Sequence, residues 1–139
     1  MVRRFVIDNS VVMAWCFSET SSGYARGILE LLADHRAVAP GVWPLEAANA
    51  LLVAERRRRI PSAQVLLFLQ LLSALPISVE HETTARVFGE IFSLAHATGL
   101  SSYDASYLEL AMRESVPLAT LDDDLRKAAR KCGVRILEP

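Results

Sequence analysis

Four acidic residues, Asp8, Glu46, Asp104 and Asp122, hold most of the chemical potential of this 139-residue sequence. Gathered at one edge of a fold, four carboxylates would repel and raise each other's pKa unless a cation sat among them. Oxygen-only ligation of this kind suits Mg²⁺ or Mn²⁺, which take carboxylates, water and phosphate in octahedral geometry. Such an ion lowers the pKa of a bound water, orients it for in-line attack on a phosphodiester and neutralises the leaving oxygen; two ions would sit ~3.5–4 Å apart. Hydrolysis then needs no protein nucleophile, although one of the acids could act as general base. Zinc fits poorly, because His35, His81 and His96 show no ligand spacing with each other or with cysteine.

Whether the acids meet depends on the elements that carry them. Arg4-Phe5-Val6-Ile7 is apolar and β-branched and stops at Asp8-Asn9-Ser10, the pattern of a buried strand followed by a polar loop or helix cap. Further strands are expected at 36–39, stopped by Pro40-Gly41, at 77–79, at 117–121 and at 134–137. Residues 11–17 form a short apolar segment and 20–23 a turn-rich one. Helical spacing runs from Tyr24 to about Asp34, from Pro44 to the arginine run, and from Ser62 to just before Pro76. A helix over 83–98 should face Val87, Ile91, Leu94 and Ala95 inward, with Gly99 just past its end. Ser101-Ser102-Tyr103-Asp104 resembles a capping box opening the helix of Tyr107, Leu108, Ala111 and Met112, and a basic helix over 123–132 stops at Gly133.

Strands alternating with helices imply one α/β domain over residues 1–139, with a mainly parallel five-stranded sheet flanked by helices. Ligands of such sheets lie beyond the carboxyl ends of the strands. Asp8, closing strand one, and Asp122, closing strand four, therefore share an edge. Glu46, in the first turn after strand two, and Asp104, opening the helix before strand four, are candidates for the same edge.

Taken singly, each acid has a plainer role. Asp104 and Asp122, Asp123 and Asp124 sit where helices begin, and acids there cap free amides and oppose the helix dipole for ~0.3–1 kcal/mol. Glu46, with Asn49 at i+3, reads equally as an ordinary first-turn acid. Asp8 is harder to explain that way, since a carboxylate closing a buried strand is costly unless capped or metal-bound.

Composition narrows the class. With 52% hydrophobic and 22% charged residues the chain is globular, and at this length roughly 68% of the unfolded surface can be buried without a structural metal or disulfide. Cys16 and Cys132 match no disulfide or metal pattern and read as reduced apolar residues. No apolar run reaches the ~18 residues of a membrane span, and the start shows no signal-peptide pattern, so a soluble cytoplasmic protein is expected. A net charge of −1 gives no overall field for a polyanion, so nucleic-acid binding would need a local patch. Arg56, Arg57, Arg58 and Arg59 are the first candidates, with a solvated, dipole-favoured helix end as the alternative; the helix of Arg126, Lys127, Arg130 and Lys131 is the second. A haloacid-dehalogenase-type phosphotransferase needs an aspartate where Ser10 stands. A receiver domain needs an early acidic pair and a late lysine, and an NTPase needs a Gly-x-x-x-x-Gly-Lys loop. None of these patterns is met.

Four segments, Val6-Ile7-Asp8-Asn9-Ser10-Val11, Pro44-Leu45-Glu46-Ala47-Ala48-Asn49-Ala50-Leu51, Leu100-Ser101-Ser102-Tyr103-Asp104-Ala105 and Leu118-Ala119-Thr120-Leu121-Asp122, together resemble the PIN-domain family. The likeness is greatest to the VapC-like toxins of toxin–antitoxin pairs and extends over essentially the whole chain. The resemblance implies a three-layer PIN-like fold and an Mg²⁺- or Mn²⁺-dependent endoribonuclease. Asp8, Glu46, Asp104 and Asp122 would hold the metal, Ser10 and Asn49 would support them, and Asp124 would add a further contact. Local roles stand beside these, Ser10 as a cap and Asn49 bonded to nearby backbone. The resemblance also implies a homodimer, an RNA substrate and a cognate antitoxin, with the helices between Trp43 and Leu75 supplying contacts unless their apolar stripes are core. Trp15 and Trp43 read as core or interface residues. A PIN-fold RNA-processing nuclease, or a non-catalytic RNA- or protein-binding module, is the alternative.

Overall fold

The structure, a computed structural model, describes residues 3–17 and 22–139. Strand β1 (Arg3–Ile7) lies inside a parallel sheet, with β2 (His35–Pro40) on one side and β4 (Leu118–Ala119) on the other, and β3 (Ile77–Glu80) pairs beyond β2. The order is therefore β3-β2-β1-β4. Phe5, Val6 and Ile7 are fully buried, as an uninterrupted apolar run requires when helices cover both faces of a parallel sheet.

Between the strands lie α1 (Asn9–Cys16), α2 (Gly23–Leu31), α3 (Trp43–Arg56), α4 (Ser62–Ala74), α5 (Thr84–Arg86), α6 (Phe92–Thr98) and α7 (Ser102–Glu114), and α8 (Asp123–Lys131) follows β4. Helix α7 is the most enclosed, with Ala105 to Ala111 all buried against β1, β2 and β4. Its outer end is fixed by Glu109, a buried carboxylate that accepts from Arg86 at 2.9 Å and from Arg113 at 3.1 Å. Among the described residues no helix is long and apolar enough to cross a membrane.

The sheet has four strands, not five. Residues 134–137 supply only a single parallel bridge, Ile136 to Leu118. Strand β4 is itself cut to two residues, and the cause lies in the backbone beyond Ala119. The Thr120 carbonyl accepts from Arg126 Nε, the Leu121 amide donates to Ser10 Oγ, and the Asp122 amide donates to Thr120 Oγ1. Side chains thus take the groups that a longer ladder would have used, leaving little for a fifth strand to extend.

Other departures are local. The apolar stretch after Asp8 is helix α1, and the turn-rich segment expected at 20–23 lies partly outside the described residues. The helix expected over 83–98 is interrupted by a π-helical turn, Val87–Ile91. Its wider turn rotates the face, so Ile91 is buried while Val87 is exposed rather than inward. Gly99 (φ 77°) and Gly133 (φ 75°) stop their helices in the left-handed conformation, which glycine adopts without a Cβ clash.

Candidate active site

Strands β1, β2 and β3 succeed each other outward, whereas β4 returns to the opposite side of β1, so the switch point of the sheet lies between β1 and β4. Crevices at such a point, outside the carboxyl ends of the strands, are where α/β sheets bind ligands. Asp8 follows β1 there directly and Asp122 stands three residues beyond β4.

Asp8 is 5% exposed. Its Oδ2 accepts from Ser10 Oγ at 2.6 Å and from Thr120 Oγ1 at 2.8 Å. Those bonds favour the ionised form, but burial outweighs them and, with the charge of Asp122, holds the carboxyl above its usual range. Glu46 sits in the first turn of α3, where Pro44 suits the start of the helix. Tyr107, fully buried on α7, donates to Glu46 Oε1 at 2.5 Å. Burial again dominates, and Asp8 and Asp104 add to it, so Glu46 is also shifted up. Asp104 lies in the first turn of α7, whose N-cap Ser101 accepts its amide at 3.1 Å. Burial, then Asp8 and Asp122, raise its pKa, with a smaller push from Asp124. Asp122 caps α8 by accepting the Leu125 amide at 2.8 Å.

Asp8 and Asp104 therefore each lie within electrostatic reach of Asp122 and of Glu46 and act on one another, and Asp124 reaches Asp104. As they stand, though, no group of three or more His, Cys, Asp or Glu side chains among the described residues is arranged to hold a metal ion. Asp8, Glu46 and Asp122 are each engaged with protein donors. Joint coordination by three of them requires side-chain rotation.

The other expected residues divide. Ser10 joins the acids directly: besides bonding Asp8 it accepts the Leu121 amide at 3.0 Å, tying α1 to the loop after β4. Asn49 is exposed on α3, in a groove of about 480 Å³ shared with Glu46 and Tyr103, and bonds none of the four acids among the described residues. Arg56, the last residue of α3, lies roughly 15 Å of helix rise from Glu46, and Arg57, Arg58 and Arg59 form the turn that ends it, the Arg59 amide donating back to the Ala54 carbonyl. The Arg59 guanidinium stands 5.1 Å from the centre of the Phe17 ring.

Two participants are not apparent from the sequence. Tyr107 is legible there only as an apolar helix position, because nothing in its spacing shows a hydroxyl aimed 61 residues back at Glu46. Thr120, fully buried, bonds the Asp8 carboxylate and accepts the Asp122 amide, so one hydroxyl links two acids. Its place two residues before Asp122 is the available sign. Thr120→Val, near-isosteric but without the hydroxyl, is expected to cost about 1–3 kcal/mol in urea unfolding, since it strands a part-buried amide and removes a buried donor to a carboxylate. A loss below about 0.5 kcal/mol would show that the link contributes nothing net.

A parallel sheet flanked by helices, with Asp8 and Asp122 beyond the strand ends at its switch point, defines an α/β domain of the ligand-binding, open-sheet class. The chain belongs to the PIN domain family, whose sequence profile matches residues 5–131. Among solved structures it is similar to PAE2754 from Pyrobaculum aerophilum, at 22% identity and TM-score 0.69, covering 91% of this chain and 79% of that one. FitAcB from Neisseria gonorrhoeae matches at 16% identity and TM-score 0.66, over 97% of each chain. VapBC2 from Rickettsia felis, bound to a DNA fragment from their promoter, matches at 12% identity and TM-score 0.68, over 96% of this chain and 97% of that one. No curated protein sequence gives a significant match.

Proposed function

We propose that this PIN domain is an Mg²⁺- or Mn²⁺-dependent endoribonuclease, the toxin of a toxin–antitoxin pair. The observation that carries the reading is the electrostatic linkage of Glu46 and Asp122 through Asp8 and Asp104, with Asp8, Glu46 and Asp104 held above their usual range by burial and repulsion. The donor set fits a hard divalent cation in kind: all ligands are carboxylate oxygens, and a positive charge among them relieves the desolvation and repulsion that the fold otherwise bears. Asp8, Glu46, Asp104 and Asp122 would hold the ion, with Asp124 as a further contact. When bound, it supplies an activated water and stabilises charge on the phosphodiester. The chain's own part is positioning. Ser10 and Thr120 orient Asp8, Tyr107 fixes Glu46 until it is needed, and Asn49 supports from the exposed face of α3.

The fold shared with VapBC2 and FitAcB supports the toxin reading and a protein antitoxin; a homodimer and a cytoplasmic location belong to the same proposal. Surface apolarity supports a protein partner too. Trp43, Ala47, Leu51, Ala54 and Val65 are core, yet Leu45, Leu66, Leu67 and Leu71 on the same two helices are exposed. One observation favours a non-catalytic binding module instead: the engagement of three of the acids with protein donors. Incubation with total tRNA, ribosomal RNA and messenger RNA separates the readings. Cleavage in Mg²⁺ and none in excess EDTA is expected; intact RNA in both Mg²⁺ and Mn²⁺ would end the nuclease reading.

The arginine run serves as an outlying electrostatic contact for RNA. Replacing Arg56, Arg57, Arg58 and Arg59 with Gln is expected to weaken RNA binding and flatten its salt dependence, by ~0.7 in log–log slope for each phosphate no longer neutralised. An unchanged slope would assign the run to solvation.

A further inference from the structure

A second basic feature adjoins the acids directly. A cleft of about 700 Å³ opens between α8 and the connection from α6 to α7, and Asp104 and Asp124 form part of its wall together with Thr98, Ser101, Lys127 and Lys131. Asp124, Lys127 and Lys131 are spaced i, i+3 and i+7, so they share one face of α8. Helical rise carries Lys131 roughly 10 Å from Asp124. Both lysines are exposed, and neither has an ion-pair partner among the described residues. Arg126 on the same helix is committed otherwise: its guanidinium stacks 4.8 Å from the centre of the Tyr24 ring, and its Nε donates to the Thr120 carbonyl. The cleft thus runs from Asp104 and Asp124 to uncommitted ammonium groups.

We propose that this cleft seats the RNA backbone on one side of the scissile phosphate, with Lys127 and Lys131 contacting its phosphates. The proposal rests on the nuclease reading and adds the direction in which substrate leaves the acids. Phosphate contacts fix register on a protein without reading sequence, and lysine serves them as a point charge. An acidic polypeptide would meet the same lysines, but its carboxylates have no counterpart to a phosphodiester continuing into the acidic end.

The test is fluorescence anisotropy of a labelled single-stranded RNA oligonucleotide in EDTA, titrated with KCl. Lys127→Gln with Lys131→Gln is expected to reduce the magnitude of the log–log salt slope by about 1.4, two phosphates at ~0.7 each. Lys127→Arg with Lys131→Arg keeps the charges and should keep the wild-type slope, which separates removal of charge from a disturbed helix. If wild-type protein cleaves RNA in Mg²⁺ but the Gln pair keeps the full slope, the cleft is not the track, and the nuclease reading survives. The same result, together with failure of the Gln pair to capture an acidic protein, would make the cleft a protein-binding surface and overturn the RNA assignment. If wild-type protein neither binds nor cleaves RNA, both readings fall together.

Discussion

Asp8→Asn is expected to reduce Mg²⁺-dependent RNA cleavage on the order of 10³-fold or more, and Asp104→Asn to do the same, with the fold intact in both. The size follows from the chemistry: losing one charged oxygen ligand forfeits several kcal/mol of stabilisation at the phosphodiester, and each ~1.4 kcal/mol is tenfold in rate. The fold should not suffer. Asp8 is 5% exposed and its carboxyl is shifted up, so its ionised form burdens the folded state. Asparagine keeps an oxygen that can accept from Ser10 and Thr120 and removes that burden. Thermal melting of the variant at neutral pH, beside a cleavage assay, checks both halves. Full activity in both variants would remove the acids from the chemistry, and a collapsed fold in Asp8→Asn would make its role structural.

Divalent metal is expected to stabilise the protein, and the metal-free form to weaken as pH rises. Asp8, Glu46 and Asp104 all have folded-state pKa values above their ordinary ones. A raised acid binds more protons folded than unfolded, so its contribution is fully present below the unfolded pKa, near 4, and is lost as pH climbs through the folded value. In EDTA these three groups should therefore make stability fall as pH rises above about 4. Mn²⁺ at a hundred times its Kd should restore about 2.7 kcal/mol, seen as a rise of several degrees in melting temperature. Asp8→Asn should lose most of that response. A wild-type melting temperature indifferent to Mn²⁺ at neutral pH would contradict the site.

The parts of this design that rest on periodicity and chain punctuation were legible in the sequence. The apolar run before Asp8, the strand ended by Pro40-Gly41 and the caps at Ser101 and Asp122 all appear in the structure as the residue pattern implies. The α/β alternation then led to the switch point. What stayed hidden depends on side chains meeting across the fold. The Thr120 hydroxyl and the Arg126 guanidinium take backbone groups beyond β4, which shortens that strand and reduces residues 134–137 to a bridge. The π turn at Val87–Ile91 shifts a helical face by one residue without any proline to announce it. Tyr107 looks like core from sequence because it is core, and only its distal oxygen belongs to the site.

The most direct measurement is a crystal structure of protein soaked in Mn²⁺, with the ion located by anomalous scattering. The expected result is a peak bounded by Asp8 and at least two of Glu46, Asp104 and Asp122, with Glu46 released from Tyr107 or Asp122 from the Leu125 amide to reach it. Saturating Mn²⁺ bound elsewhere, or nowhere, with those four carboxylates still apart, would contradict a shared metal centre.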